Sequence, residues 1–275
     1  MGGLKIKSRF LGPFIIILNS ISGEVMKILI SNDDGVFSQG IDILEKAMSK
    51  YGETMVVAPQ NDQSGMSHAL TLNRPLRIQK ISKTRYSVDG TPADCVHFAI
   101  QDLYQDRKPD LIVSGINHGA NLGEDIWYSG TVGAAIEGSL MGIPSIAVSV
   151  VPFQNPEINF EPAIHFLENE FSKLLELGSK SAQIIYNINI PSGTADKIDK
   201  IEFTRLGSRR YKSTLVRNID PRGKIYFWIG GEKIDFDQLE GTDSNAIRKQ
   251  CISISPIHMN ITDASHLEVM KKWEF

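Results

Sequence analysis

Apolar residues along this chain fall into two alternating rhythms. Mainly apolar runs at 27–31, 54–59, 111–114 and 145–150 are rich in β-branched residues and stop abruptly at polar or turn-forming residues, and a further strand at 184–190 ends at Pro191. A strand with one face in water alternates polar and apolar side chains. Runs without alternation are therefore expected as strands buried on both faces of a parallel sheet. Between them, apolar residues recur at helical spacing. Ile41, Leu44, Ala47 and Met48 follow a Ser38 cap, and Val96, Ile100 and Leu103 follow Thr91-Pro92 with Asp94 in the capping-box position. A third helix opens at Tyr128–Ala135 and closes at Gly142, and a fourth is expected over 162–177 behind Pro162.

Strand and helix in alternation predict an α/β fold, a Rossmann-like, mostly parallel sheet with helices on both faces. Residues 76–88 alternate loosely and suggest exposed strands or a hairpin. Past Pro191 the rhythm changes to strands at 200–204, 224–229 and 251–257, set among glycines and charges. The expected division is a leader at 1–25, an α/β catalytic domain at 26–192, and a β-rich C-terminal arm with a helix at 193–275. Tyr226, Phe227 and Trp228 form an aromatic patch on that arm, open to subunit contact or to burial within the chain.

Composition narrows the classes. With 275 residues, 41% apolar and 22% charged, the chain can bury a full globular core. A formal net charge of −3 argues against broad binding to nucleic acid or anionic membrane. Cys95 and Cys251 are the only cysteines, so no disulfide framework or cysteine-rich zinc site is available and a reducing compartment is expected. Lys5, Lys7 and Arg9 precede an apolar run at 10–18, the outline of a short signal peptide, but that run is too short to span a bilayer. The competing reading starts the protein at Met26 and makes 1–25 an upstream extension. The low cysteine content favours it.

Candidate chemistry gathers where ligands of open α/β sheets bind, beyond the carboxyl ends of the strands. The first strand ends at Asn32-Asp33-Asp34-Gly35. Those four residues alone are ordinary turn chemistry. Adjacent carboxylates also repel, and a hard divalent cation would relieve them. Ser64 lies in the polar loop 60–68 on the same edge, and Asn117 and Asn121 offer neutral oxygens within the glycine-spaced segment 115–123. Ser129, Gly130 and Thr131 open a helix whose N–H groups suit an anion or phosphate. Neither a P-loop nor a dinucleotide fingerprint is present. His97 is expected as a packed or surface helix residue, not a ligand. This set suggests metal-assisted phosphoryl transfer or hydrolysis. The rival is a non-catalytic nucleotide-binding module on the same sheet edge.

The blocks 28–35, 58–64, 90–95, 114–121 and 129–131, in this order, resemble the SurE family of 5′-nucleotidases. Residues 204–207, 220–223 and 241–243 continue the likeness more loosely. The resemblance implies one divalent metal ion, Mg²⁺ or Mn²⁺, held by residues matching Asp33, Asp34, Ser64 and Asn117. It implies a phosphate pocket from Asn121, Ser129, Gly130 and Thr131, and hydrolysis of nucleoside 5′-monophosphates, with 3′-nucleotides and polyphosphate left open as further substrates. It also implies a cytoplasmic protein that forms a homodimer or homotetramer through the C-terminal arm. The leader departs from the family pattern. Asp33 or Asp34 is the expected acceptor of a proton from attacking water, with an aspartyl-phosphate route as the rival.

Overall fold

The computed structural model describes residues 25–152, 157–178, 183–210, 215–229, 235–236 and 239–273. The leader expected at 1–25 lies almost wholly outside them. Strand β1 (Lys27–Ser31) leads through α1 (Gln39–Met48) to β2 (Glu53–Pro59). The short strands β3 (Ile78–Lys80) and β4 (Arg85–Val88) precede α2 (Pro92–Phe98), β5 (Leu111–His118), α3 (Gly130–Leu140) and β6 (Ser145–Val151). Next come α4 (Glu161–Asn169), α5 (Phe171–Gly178), β7 (Ile184–Pro191), β8 (Ile201–Phe203), β9 (Arg209–Arg210), β10 (Leu215–Ile219), β11 (Ile225–Ile229) and β12 (Asp235–Phe236). The last described elements are α6 (Asp243–Arg248), β13 (Ile252–His258) and α7 (Ala264–Met270).

Nine strands form one sheet in the order β3-β4-β2-β1-β5-β6-β7-β13-β8. From β4 to β7 every neighbouring pair is parallel. β3 is antiparallel at one edge, and at the other β13 runs antiparallel to β7. The expected α/β architecture is therefore present. Ile28, Ile30 and Val113 pack on one face with Ile41, Leu44, Phe166 and Phe171 from α1, α4 and α5. Leu29, Val57 and Ile112 pack on the other with Val96 and Ala134 from α2 and α3. Helices cover both faces, which is why these strands carry no polar alternation. Each large side chain buried this way contributes about 2 kcal/mol.

Three differences from the sequence expectations have physical causes. The helix expected over 162–177 breaks at Glu170 into α4 and α5. Phe166 and Phe171 would point about 140° apart on one continuous helix. The break lets both turn inward, with ring centroids 6.5 Å apart in an edge-on arrangement.

The strand expected to stop at Ser114 instead continues as β5 to His118, with a bulge between Ser114 and Asn117. Gly115 makes this continuation sterically feasible. It has φ +139°, and a Cβ there would lie 2.3 Å from the Val148 carbonyl oxygen of β6. A bulge turns the strand and re-aims the residue after it, here Asn117.

Past residue 193 the described strands divide among three sheets. β8 and β13 join the main sheet, β9 and β12 form a short antiparallel pair, and among the described residues β10 and β11 pair with each other as an antiparallel hairpin. The expected boundary at 192/193 thus does not coincide with the sheet edge. Among the described residues, no helix is long and apolar enough to cross a membrane.

Candidate active site

The Asn32–Gly35 turn is tied down from behind. Asn32 donates its amide to the Gly35 carbonyl (3.0 Å) and to Ser38 Oγ (2.8 Å), the hydroxyl that caps α1. Val36 N–H donates to the Pro59 carbonyl at the end of β2 (2.8 Å). The turn reading of this tetrapeptide and the functional reading are therefore the same fact, because the turn presents the two carboxylates. They open into a cleft of about 290 Å³ lined by Asp33, Asp34, Ser64, Asn117, Asn121 and Ser129, together with His118, Asp125 and Tyr128.

Asp33 is 3% exposed. It accepts hydrogen bonds from the hydroxyl and the backbone N–H of Thr131 in the first turn of α3. Burial nevertheless pushes its pKa up to about 6, and the neighbouring Asp34 charge adds to the rise. Asp34 is also pushed to about 6 by burial, opposed by the backbone N–H of His118 at 3.3 Å and raised further by Asp62. Burial holds the His118 imidazole below its ordinary range. Asp33 and Asp34 thus adjoin in a partly desolvated cleft whose described walls bring no lysine or arginine.

Ser64 and Asn117 add neutral oxygens to the cleft, beside the His118 imidazole and the Asp125 carboxylate. Ser64 is exposed and donates its hydroxyl to Asp62 Oδ1 (2.6 Å). Asn117 donates its amide to the Gly119 carbonyl (2.9 Å), leaving Oδ1 as the atom available to a ligand. The oxygens of Asp33, Asp34, Ser64 and Asn117 suit a hard divalent cation.

Of the eight residues singled out from the sequence, six line one cleft. Gly130 and Thr131 stand behind its wall. Thr131 is fully buried, with its hydroxyl and N–H committed to Asp33. A Cβ on Gly130 would lie 2.8 Å from Asp33 Cβ. In the opening turn of α3, Thr131 therefore serves a carboxylate of the protein itself. Ser129 accepts from Val132 N–H (3.0 Å) as the α3 cap and still borders the cleft.

Asn121 is held by a buried amide network that sequence reading did not single out. Asn189 accepts from the Asn121 N–H (2.9 Å) and donates to the Asn121 carbonyl (2.9 Å), and Asn187 donates to the same carbonyl (2.8 Å). Asn121 in turn donates its amide to Ser149 Oγ (2.8 Å). Asp243 accepts from Gly123 N–H and Gly207 N–H, each at 2.8 Å, and so ties this segment to α6. The signal was Asn187 and Asn189 inside an otherwise apolar run, since buried amides persist only when hydrogen-bonded. His97 lies on α2, half-exposed, and meets Glu137 away from the cleft.

The family model described as "Survival protein SurE" matches residues 28–213. The chain is 44% identical over 255 residues to the 5′-nucleotidase SurE of Myxococcus xanthus, covering 92% of this chain and 95% of that protein. It is 45% identical over 252 residues to the 5′-nucleotidase SurE of Geotalea uraniireducens, covering 90% and 99%. The crystal structure of the SurE protein from Aquifex aeolicus matches with a TM-score of 0.77 at 41% identity, covering 89% of this chain and 98% of that one.

Proposed function

This chain belongs to the SurE family, and from that premise we infer that it is a 5′-nucleotidase, a metal-dependent phosphatase that hydrolyses nucleoside 5′-monophosphates to nucleoside and phosphate. The observation that carries the reading is the Asp33–Asp34 pair, each held at about 6 in a cleft whose described walls bring no lysine or arginine. A folded chain keeps two such groups side by side at a cost in stability, and a bound cation removes that cost.

We assign Asp33, Asp34, Ser64 and Asn117 as the residues that would hold one divalent ion, Mg²⁺ or Mn²⁺. Such an ion supplies polarisation of phosphoryl oxygens and a lowered pKa for water. The chain's own residues do the rest. Thr131 fixes the Asp33 carboxylate, so its orientation is set before any ligand arrives. Asp34 is the less buried of the pair and is placed to accept a proton from an attacking water. Ser129 and Asn121 border the same space and orient the phosphate by hydrogen bonds. Gly130 and Thr131 act through Asp33.

The assembly we propose is a homodimer or homotetramer built through residues 193–275. Its support is the β10–β11 hairpin, whose Phe227 and Trp228 are 57% and 65% exposed. The two cysteines are buried and unpaired, which suits a cytoplasmic protein. The test is inorganic phosphate release from AMP and GMP with Mn²⁺, with and without EDTA. Release that requires the metal supports the reading. Release that is indifferent to EDTA overturns the metal assignment, and absence of release from every 5′-nucleotide overturns the phosphatase.

A further inference from the structure

Away from the cleft, one buried carboxylate has no part in the proposed chemistry. Glu137, in α3, is 5% exposed and uses both oxygens. Its Oε2 meets His68 Nε2 at 2.7 Å and its Oε1 meets His97 Nδ1 at 2.9 Å. The two imidazoles hold its carboxyl below the usual range against the opposing effect of burial. His97 belongs to α2, whereas His68 ends the loop that carries Ser64.

That loop needs external support. The Ser64 hydroxyl donates to Asp62 in the same loop, and the neighbouring Gln63 N–H donates to the Asp33 carbonyl (2.8 Å), so Ser64 has its place relative to Asp33 through that bond together with the loop's anchors on α3. Ser67 adopts φ +59°, in the left-handed region that residues with a side chain enter only when held there. Its N–H donates to the Tyr128 carbonyl (3.0 Å) and its hydroxyl to the Trp127 carbonyl (2.6 Å). The loop lies directly on α3, since a Cβ on Gly133 would come within 2.4 Å of the Ser67 carbonyl oxygen. Next in sequence, His68 reaches along the same helix to Glu137.

We infer that His68 and Glu137 are positioning residues that latch the Ser64 loop to α3, the helix that also fixes Asp33 through Thr131. Beside the direct Gln63–Asp33 backbone bond, one rigid element then bears on the separation between carboxylate and serine hydroxyl from both sides, Thr131 at its first turn and Glu137 further along. The inference rests on the metallophosphatase reading for what the latch serves, while the latch itself is a property of the metal-free chain. Loss of His68 frees the loop without touching any residue assigned to the cation.

The test uses His68→Ala, His68→Gln and His97→Ala in the full chain. In metal-free protein, His68→Ala raises amide hydrogen exchange at 63–68 by about tenfold or more. His68→Gln, whose side-chain N–H can meet Glu137, keeps exchange near wild type. Mn²⁺ affinity, read by paramagnetic resonance with the metal alone, falls about tenfold in His68→Ala and less than about threefold in His68→Gln. His97→Ala leaves the loop's bond in place and changes both readouts less than His68→Ala. Unchanged exchange and affinity in His68→Ala would overturn the latch. So would equal effects from His97→Ala, which would mean that the cluster supports the fold as a whole. Wild-type protein that binds no Mn²⁺ would instead overturn the phosphatase reading, and the exchange comparison would still decide whether the loop is latched.

Discussion

At the cleft, Asp33, Asn121, Ser129 and Thr131 are polar side chains withdrawn from water, and each has a hydrogen-bond partner within the chain. On the β10–β11 hairpin the situation is reversed. Phe227, Trp228 and Ile229 are apolar and 57%, 65% and 87% exposed, and all ten strand residues face solvent. These buried polar groups are paired within one copy of the chain. Apolar burial at the hairpin is incomplete, because an isolated two-stranded ribbon is marginal in water and a patch of this kind marks an interaction surface. On the proposed reading the cleft takes a small cation and the hairpin a second copy of the chain, and separate experiments can test each.

The strongest break targets the cleft alone. Asp33→Asn should fold, because an amide can still accept from Thr131. Its kcat/KM should fall by about 10³-fold or more, since displacing the cation forfeits several kcal/mol of transition-state stabilisation. Phosphate release near the wild-type rate at saturating Mn²⁺ would refute the assignment of Asp33.

A second test asks whether the cleft is stressed when empty. Asp33 has a pKa of about 6 in the fold against an ordinary 3.8. The folded state therefore keeps that proton when the unfolded chain has lost it. Its contribution to stability is greatest at low pH, declines as pH rises from about 4 to about 6, and is absent above that. Two pKa units correspond to roughly 3 kcal/mol at most. In urea titrations of EDTA-treated protein, Asp33→Asn should gain on wild type by up to that amount near pH ~7 and by almost nothing near pH ~4. Excess Mn²⁺ should erase the gain, and identical pH profiles for the two proteins would contradict it.

The smallest effect sharpens the other side. Trp228→Ala should weaken self-association by about 2 kcal/mol, as central aromatic anchors do. Turnover per chain in the dissociated protein should stay within about threefold of wild type, because the cleft contains no hairpin residue. Sedimentation across a dilution series measures the first and phosphate release the second. An unchanged assembly would show that the hairpin is covered by something other than a second copy.

The two regions also differed in how legible they were. Runs buried on both faces announce themselves, so β1, β2, β6 and β7, the first half of β5 and the Ser38 and Thr91 caps were readable. The six cleft-lining residues singled out from the sequence were readable because each lies at the end of a strand, in the loop beyond it or at a helix start on one edge, whereas His118, Asp125 and Tyr128 were not singled out. What stayed hidden depends on tertiary distance. Nothing local in 184–190 says that Asn187 and Asn189 clamp Asn121, a residue more than sixty positions earlier. The close approach of Gly115 to β6 was read as the start of a loop, because a glycine in sequence does not reveal which neighbour requires it. Thr131 was assigned to a phosphate for a similar reason. A helix start attracts any anion, and the nearest one proved to be Asp33.

The close seating of α3 has a consequence for engineering. Side chains added at Gly130 and Gly133 would strike Asp33 and the Ser64 loop, and at Gly138 a Cβ would lie 2.3 Å from Ile112 Cδ1 on the sheet. Glycine inside a helix forgoes about 1 kcal/mol relative to alanine, which makes replacement by alanine a usual route to hardier variants. In this helix that route would lift a whole wall off its foundation, so thermal robustness has to be sought in other segments.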